Sequence, residues 1–573
     1  MIFKRVISMF MISSLVMVPT PIEARKWRTS KSITFPDNKL SKENRPAHRK
    51  YSYGGTLVMG TYNAPTIINP ILTSHSISAA LMELIFDSLV KIDSNNKVIP
   101  GLARYWEISK DGLEYTFYLR KNVFFHDGEE CTAEDVKFTH ERISDPENKS
   151  HWRLHNEIVE SWEIIDKHTL KIRLKRPFPL ILHKLVREIA PKHLLENQNL
   201  HSNSFNYNPI GTGSFKFKHW DREINEIKLE ANLDYFEGRP YLDEIIVKTY
   251  ANDSYLWSAF LRGEVDLVNF VSRQDYKAIE NNSAFNVYQI NYQSYYALVY
   301  NLNDSIFRDK EVRKAIGFSI DKVSLIEKSA AAGLESIGPF HPGALGFNKD
   351  VEALKYDPYK GKMMLMHRGW LDAGADYNGN NIDRFDAKER GIRKKSGQSL
   401  ELKILVDQSN TEYNLIAKSI RQNLSEVGVK TSVLLYQDDN ELTPEYLEKH
   451  KPQAWLRFFM GTGFEKFDSY DAASHWYSSS SQFGKLWPYK NSEVEELFNV
   501  AKVTQDKNKR IEIYKKIHKI VYEDQLAYFL YYPASFHAVS SNFKNTNKFF
   551  NKFMPTYTIK DWYIQKCVDK ICR

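Results

Sequence analysis

The stretch from Gly101 to Arg142, GLARYWEISKDGLEYTFYLRKNVFFHDGEECTAEDVKFTHER, constrains the fold more than any other part of the 573-residue chain. Leu113 to Arg120 carries enough alternating aromatic and β-branched side chains to predict a strand, and His126-Asp-Gly128 supplies the turn that ends the next one. A helix is predicted to follow. Thr132 serves as its N-cap, Glu134 and Asp135 suit the positive end of its dipole, and Val136, Phe138 and Ile143 are apolar positions available for burial.

That order of tryptophan, DG hairpin, FHDG turn and TAEDV helix start resembles the family 5 extracellular solute-binding proteins, the peptide- and nickel-binding components of ABC importers. Further segments carry the same resemblance. Asn208-Pro-Ile-Gly-Thr-Gly213 has glycines that permit a tight backbone approach. Asn232-Leu-Asp-Tyr-Phe-Glu-Gly238, followed by Pro240-Tyr-Leu-Asp-Glu-Ile-Ile-Val, reads as a turn feeding a strand, and Leu261-Arg-Gly-Glu-Val-Asp266 as a helix end and strand start. Phe307 to Ile316, continuing to Ile320-Asp321-Lys322, places Val312, Ala315, Ile316, Ser319, Ile320 and Val323 on one helical face, a stripe suited to core packing. Tyr356-Asp-Pro358 introduces another helix. Ile416, Ile420, Leu424 and Val427 share one face of residues 412–427, and Gly428 stops that helix before the strand Val429 to Leu435. The matches cover about residues 54–545.

The resemblance implies an α/β fold, a two-lobed periplasmic binding protein of type II, cluster C, with mixed β-sheets and an extra domain. Roughly 520 residues exceed what one core supports. By analogy, domain I comprises 51–88, 206–296 and 535–573, domain II 89–205, and domain III 297–534. The implied function is not enzymatic. A monomer without cofactor closes two lobes around a peptide and delivers it to the permease and ATPase of an importer at the inner membrane. In relatives the first strand and its following loop line one wall, here with Tyr62, Thr66, Asn69 and His75. A second wall comes from the loop after a domain III strand, here with Trp455, Phe459, Thr462, Gly463, Phe464, Glu465, Asp468 and Tyr470. Peptide-binding members hold the ligand's ammonium group with an aspartate in that loop. Phe464 stands where the acid is expected, so either Asp468 or Glu465 replaces it or the ligand lacks a free amino terminus. Trp455, Phe459, Phe464 and Tyr470 have rings that stack on a ligand or belong to the core. Two alternatives stay open: the same fold binding a nickel chelate, haem or peptide-like conjugate, and an S-x-x-K peptidase.

A periplasmic receptor needs an export signal. Lys4 and Arg5 precede the thirteen-residue apolar run Val6 to Val18, and Ile22-Glu-Ala24 forms a cleavage site. As a helix the run would reach about 20 Å against roughly 30 Å of hydrocarbon, which favours a cleaved signal over residues 1–24 rather than an anchor. The net charge of +8 is misleading. Residues 1–24 hold +1 and residues 25–50 hold +7, so the body from 51 onward is neutral. Residues 25–50 read as a basic flexible tail, and the body has no basic footprint for nucleic acid. Of three cysteines, Cys567 and Cys572 are close enough in sequence to predict a disulfide, which leaves Cys131 buried and unpaired.

No motif builds a convincing catalytic or metal centre. Ser319-Ile-Asp-Lys322 has S-x-x-K spacing, but Lys430-Thr-Ser432 is only an approach to K-T-G and Ser319 lies on the packed stripe. His126, Asp127, Glu130, Cys131, Glu134, Asp135 and His140 are ligand-type residues accounted for by a turn and a helix start. Asp376 to Asp383 is similar to a calcium loop, with Gly379 misplaced and Ala387 where glutamate is needed. Gly211-Thr-Gly213 lacks the third glycine of a dinucleotide fingerprint, Lys216 standing there instead.

Overall fold

The computed structural model describes residues 53–73, 76–93, 97–291, 294–329, 332–372, 391–459, 476, 489–547 and 556–565. The expected signal and basic tail, His75, the Asp376–Asp383 turn, Cys567 and Cys572 lie outside the described residues.

Within the opening segment, strands Ala103–Ile108 and Glu114–Leu119 pair antiparallel, and Thr169–Leu174 and Val159–Asp166 extend them into a four-stranded sheet. Helix Ala133–Ser144 starts on Thr132 with a reciprocal cap. The Thr132 hydroxyl accepts from the Glu134 N–H at 3.3 Å, while the Asp135 carboxylate accepts from the Thr132 N–H at 2.8 Å. Trp106, Phe117, Val136 and Cys131 fill the core beneath it, and burial pushes the Cys131 thiol well above its usual range.

Two of the sequence motifs meet in space. The His126 N–H donates to the Gly211 carbonyl at 2.8 Å. Its ring Nε2 lies 3.1 Å from the Gly213 carbonyl, and Nδ1 accepts from the Gly211 N–H at 3.4 Å. Burial holds the imidazole down at about 4, so the ring is neutral at physiological pH. A Cβ on Gly211 would come within 2.1 Å of the Ile85 carbonyl, and one on Gly213 within 2.4 Å of the Leu84 carbonyl. The glycines let the turn press against the end of helix Ser76–Ile85.

A twelve-stranded mixed sheet carries the rest. In one half, Thr56–Thr61, Glu244–Thr249 and Leu267–Val271 are parallel. In the other half, Glu401–Asp407, Lys430–Tyr436 and Ala454–Phe459 are parallel. Strand Ala527–Ser540 belongs to both, pairing through 527–531 with Tyr295–Tyr300 and through 536–539 with Leu267–Val271. It therefore runs unbroken through the boundary expected at 534/535.

The helical stripe of residues 312–323 needs correction. Helix Lys310–Phe318 ends, and Asp321 caps a second helix, Lys322–Lys328, by accepting from the Ser324 N–H at 3.0 Å. The break turns Val323 outward, 53% exposed, and buries Lys322. The Lys322 Nζ donates to the Ser336 carbonyl at 2.7 Å and lies 4.5 Å from the Tyr528 ring centre, whereas the Ser319 hydroxyl donates to the Ala315 carbonyl at 2.8 Å. Serine and lysine are engaged elsewhere and form no catalytic dyad.

Burial lowers the Lys322 amine to about 7. The unfolded chain, at about 10.4, binds more protons between those values, so this group makes stability rise with pH across that window. The difference corresponds to about 5 kcal/mol at most, and losing the bond to Ser336 returns about 1–3. Lys322→Met is expected to raise stability by about 1–3 kcal/mol near pH 6 and to remove the gain that the wild type shows between pH 7 and 9. Urea titrations at pH 6, 7.5 and 9 check it; parallel pH profiles for the two proteins would refute it.

Candidate functional site

The chain direction brings one end of each half-sheet face to face. Strand Leu267–Val271 is antiparallel to Ala527–Ser540, so its carboxyl end, with those of Thr56–Thr61 and Glu244–Thr249, points toward the second half. Strand Ala454–Phe459 is antiparallel to Tyr295–Tyr300, which is itself antiparallel to Ala527–Ser540. Its carboxyl end, with those of Glu401–Asp407 and Lys430–Tyr436, therefore points back toward the first half. Ligand crevices in open α/β sheets lie outside the carboxyl ends of strands. Here two such crevices oppose each other across the shared strand, the arrangement a closing receptor needs.

On the first wall, Tyr62 is 39% exposed and Thr66 is exposed. Asn69 departs from the expectation. It is 0% exposed, its amide donates to the Asn206 side chain at 2.8 Å, and its carbonyl accepts from the Ile71 N–H at 2.9 Å. It shapes the loop from inside and does not face the crevice. On the second wall, Trp455 and Phe459 are corrected likewise, being 2% and 4% exposed. The Trp455 indole donates to the Tyr436 hydroxyl at 2.8 Å, and the Phe459 ring lies 4.7 Å from Tyr295 and 5.3 Å from Trp476. Their faces are spent on the core. Thr462, Gly463, Phe464, Glu465, Asp468 and Tyr470 lie outside the described residues.

Several polar groups in and beside these strands were not singled out by the sequence motifs. Arg457, between the two named aromatics, contacts the Asp439 carboxylate at 3.1 and 3.2 Å and stacks 4.1 Å from the Trp455 ring centre. Asn269 sits where the pairing of Leu267–Val271 with the shared strand slips. Such a bulge re-aims a side chain. The Asn269 carbonyl meets His537 Nδ1 at 2.7 Å, and His537 Nε2 meets the Ser535 hydroxyl at 2.8 Å. Burial holds His537 down at about 3, so a neutral ring ties the crossing strand to its neighbour. The signal that could have found Arg457, Asp439 and Asn269 was positional: they lie within or just after strands whose carboxyl ends meet.

Comparison with known proteins gives a consistent picture. A family model described as bacterial extracellular solute-binding proteins, family 5 Middle, matches residues 97–484. The chain is 30% identical over 533 residues to the oligopeptide-binding protein AppA of Bacillus subtilis (strain 168), covering 90% of this chain and 93% of that protein. The structure of AppA from Bacillus subtilis in complex with a nonapeptide matches with a TM-score of 0.67 at 28% identity, covering 90% of this chain and 100% of the other. NikZ from Campylobacter jejuni in complex with Ni(L-His) matches with a TM-score of 0.68 at 26% identity, covering 89% and 99%.

Proposed function

The chain belongs to the bacterial extracellular solute-binding proteins of family 5, and from that premise we propose that it is the peptide receptor of an ABC importer. The observation that carries this reading is the opposition of two sets of strand carboxyl ends across one shared strand. A ligand touching both walls stabilises the closed arrangement by its differential affinity, and the membrane complex needs only to recognise that arrangement. An extended peptide can be held by its main chain while side chains occupy hydrated space, which suits delivery of many sequences. The likeness to AppA supports peptide as the solute class.

The finer parts of this proposal are residues 1–24 as a cleaved export signal, the three domains bounded as above, a monomeric receptor, and Asp468 or Glu465 as the anchor for a peptide amine. Tyr62 and Thr66 supply the first wall, and His75, Thr462, Gly463, Phe464 and Tyr470 complete the cleft. Cys567 and Cys572 form the disulfide.

The test is thermal shift on protein refolded free of carried ligand, against di- to pentapeptides beside nickel-histidine and haem. A true ligand at a hundredfold excess over its dissociation constant stabilises by about 2.7 kcal/mol. A peptide shift that N-acetylation abolishes is the expected result. A response to nickel-histidine or haem with none to peptides overturns the peptide reading.

A further inference from the structure

The loop that follows the carboxyl end of strand Thr56–Thr61 presents Tyr62 and Thr66 to solvent on the first wall. Its near end is tied to the strand, where the Thr61 hydroxyl and the Asn63 main chain bond each other at 3.1 Å. Its far part, residues 68–73, is buried throughout, and a distant segment of the chain holds it there. The Ser150 hydroxyl donates to the Ile71 carbonyl at 2.6 Å, and the Trp152 indole donates to the Thr73 carbonyl at 3.0 Å. These two grips are themselves fixed. The Ser150 oxygen accepts from the Trp152 main-chain N–H at 3.3 Å, and the Arg187 guanidinium lies 3.6 Å from the Trp152 ring centre. On the other side of the loop, the Ile68 N–H donates to the Asn206 carbonyl at 2.9 Å.

Ser150 and Trp152 belong to the connection between helix Ala133–Ser144 and strand Val159–Asp166, an edge of the four-stranded sheet. That helix joins two cores. Val136 packs with the sheet, whereas Phe138 and Ile143 share an apolar cluster with Ile68, Ile71 and Leu72 of the loop. The four-stranded unit therefore supports the loop through both polar and apolar contacts. A loop held before its ligand arrives loses less conformational freedom on binding, and that saving appears as affinity.

We propose that Ser150 and Trp152 are positioning residues for the peptide crevice, acting through the loop that carries Tyr62 and Thr66. By gripping the Ile71 and Thr73 carbonyls they set the shape of the first wall. The proposal rests on the peptide-receptor reading and deepens it, giving the four-stranded unit a part in ligand affinity.

The test is calorimetric titration of the full mature chain with di- to penta-alanine, well below its melting temperature, beside thermal melts without peptide. Wild type is compared with Ser150→Ala, Ser150→Thr, Trp152→Phe and Val136→Ala. Phenylalanine keeps a ring for Arg187 and loses the donor to Thr73, and threonine keeps the hydroxyl for Ile71. Ser150→Ala and Trp152→Phe are expected to weaken peptide binding about fivefold to tenfold, the scale of reordering one or two side chains. Ser150→Thr is expected to restore affinity to within about twofold of wild type. Val136→Ala, a cavity in the sheet core away from the loop, is expected to lower the melting temperature and leave affinity unchanged. A merely structural role would do the same in the other variants. Unchanged affinity in Ser150→Ala and Trp152→Phe, or equal weakening in Val136→Ala, overturns this proposal alone. Wild-type protein that binds none of the peptides overturns the receptor reading and this proposal together.

Discussion

Replacement of Arg313 by methionine is expected to lower stability by about 4–5 kcal/mol, enough to prevent accumulation of folded protein at 37 °C. The buried guanidinium donates to four main-chain carbonyls, those of Phe307 at 2.6 Å, Arg308 at 2.9 Å, Asp524 at 2.6 Å and Gln525 at 2.7 Å. Two belong to the turn that leads into helix Lys310–Phe318, and two to the end of helix Lys507–Glu523, over two hundred positions later. Burial pushes the guanidinium down. Methionine fills much of the volume and strands all four acceptors, each costing about 1–3 kcal/mol when left unpaired. Lysine cannot replace it, because one ammonium does not span four acceptors. Urea unfolding of Arg313→Met and Arg313→Lys checks this; a loss below about 1 kcal/mol in both would show that water replaces the guanidinium without penalty.

Lys91→Met is expected to cost about 3–5 kcal/mol, through a different physical term. Lys91 lies 2.6 Å from Asp87, 3.4 Å from Glu237 and 2.9 Å from the Tyr235 hydroxyl. Tyr235 donates to Asp87 at 2.8 Å, as does the Thr212 hydroxyl at 3.1 Å. Burial alone would lower the Lys91 amine, but the Asp87 and Glu237 carboxylates outweigh it and hold the amine above its usual value. For Glu237, burial would raise the carboxyl, and Lys91 foremost holds it low. Methionine leaves two buried carboxylates, with Lys560, 3.9 Å from Glu237, and Arg120 as weaker cationic partners of Glu237. Without Lys91, burial is expected to raise the Glu237 carboxyl in the folded variant. Its stability is retained below the unfolded carboxyl range and lost as pH rises through the raised Glu237 value, a loss not expected of the wild type. Denaturant titrations at pH 4.5 and 7.5 read the difference, and adding Asp87→Asn to Lys91→Met should restore part of the loss at pH 7.5. Equal losses at both pH values would refute the charge account.

These two clusters also explain what the sequence motifs were reporting. Thr212 belongs to the GTG turn, Tyr235 and Glu237 to the NLDYFEG turn, and Arg313 to the helix that follows Phe307. The recognisable words of the chain hold segments together. His126 fits the same pattern, since its ring is occupied by the Gly211-Thr-Gly213 backbone.

Elements written in local chemistry were legible from residue order. The Thr132 cap, the Gly428 stop with its positive φ of 78°, and strand Lys430–Tyr436 each depend on a few consecutive residues. The break at Ser319–Asp321 was misread because an apolar period persists across a cap, and Asp321 competes for the backbone in a way that periodicity does not register. Trp455 and Phe459 were misassigned to the crevice for a related reason. Aromatic residues alternating along a strand give the same pattern whether that face meets a ligand or, as here, Tyr436, Tyr295 and Trp476.

By itself, then, the sequence determined the family, the mixed α/β class and many of the helix and strand limits, because caps, turns and alternation act over a few residues. Only the tertiary structure decided which ends of which strands oppose one another and which distant side chains meet. Tyr296, Glu412, Phe458 and Tyr531 span 235 positions, and no local rule links them. They meet because parallel and antiparallel pairing through one shared strand fixes their register, a long-range outcome of packing that no short window of residues contains.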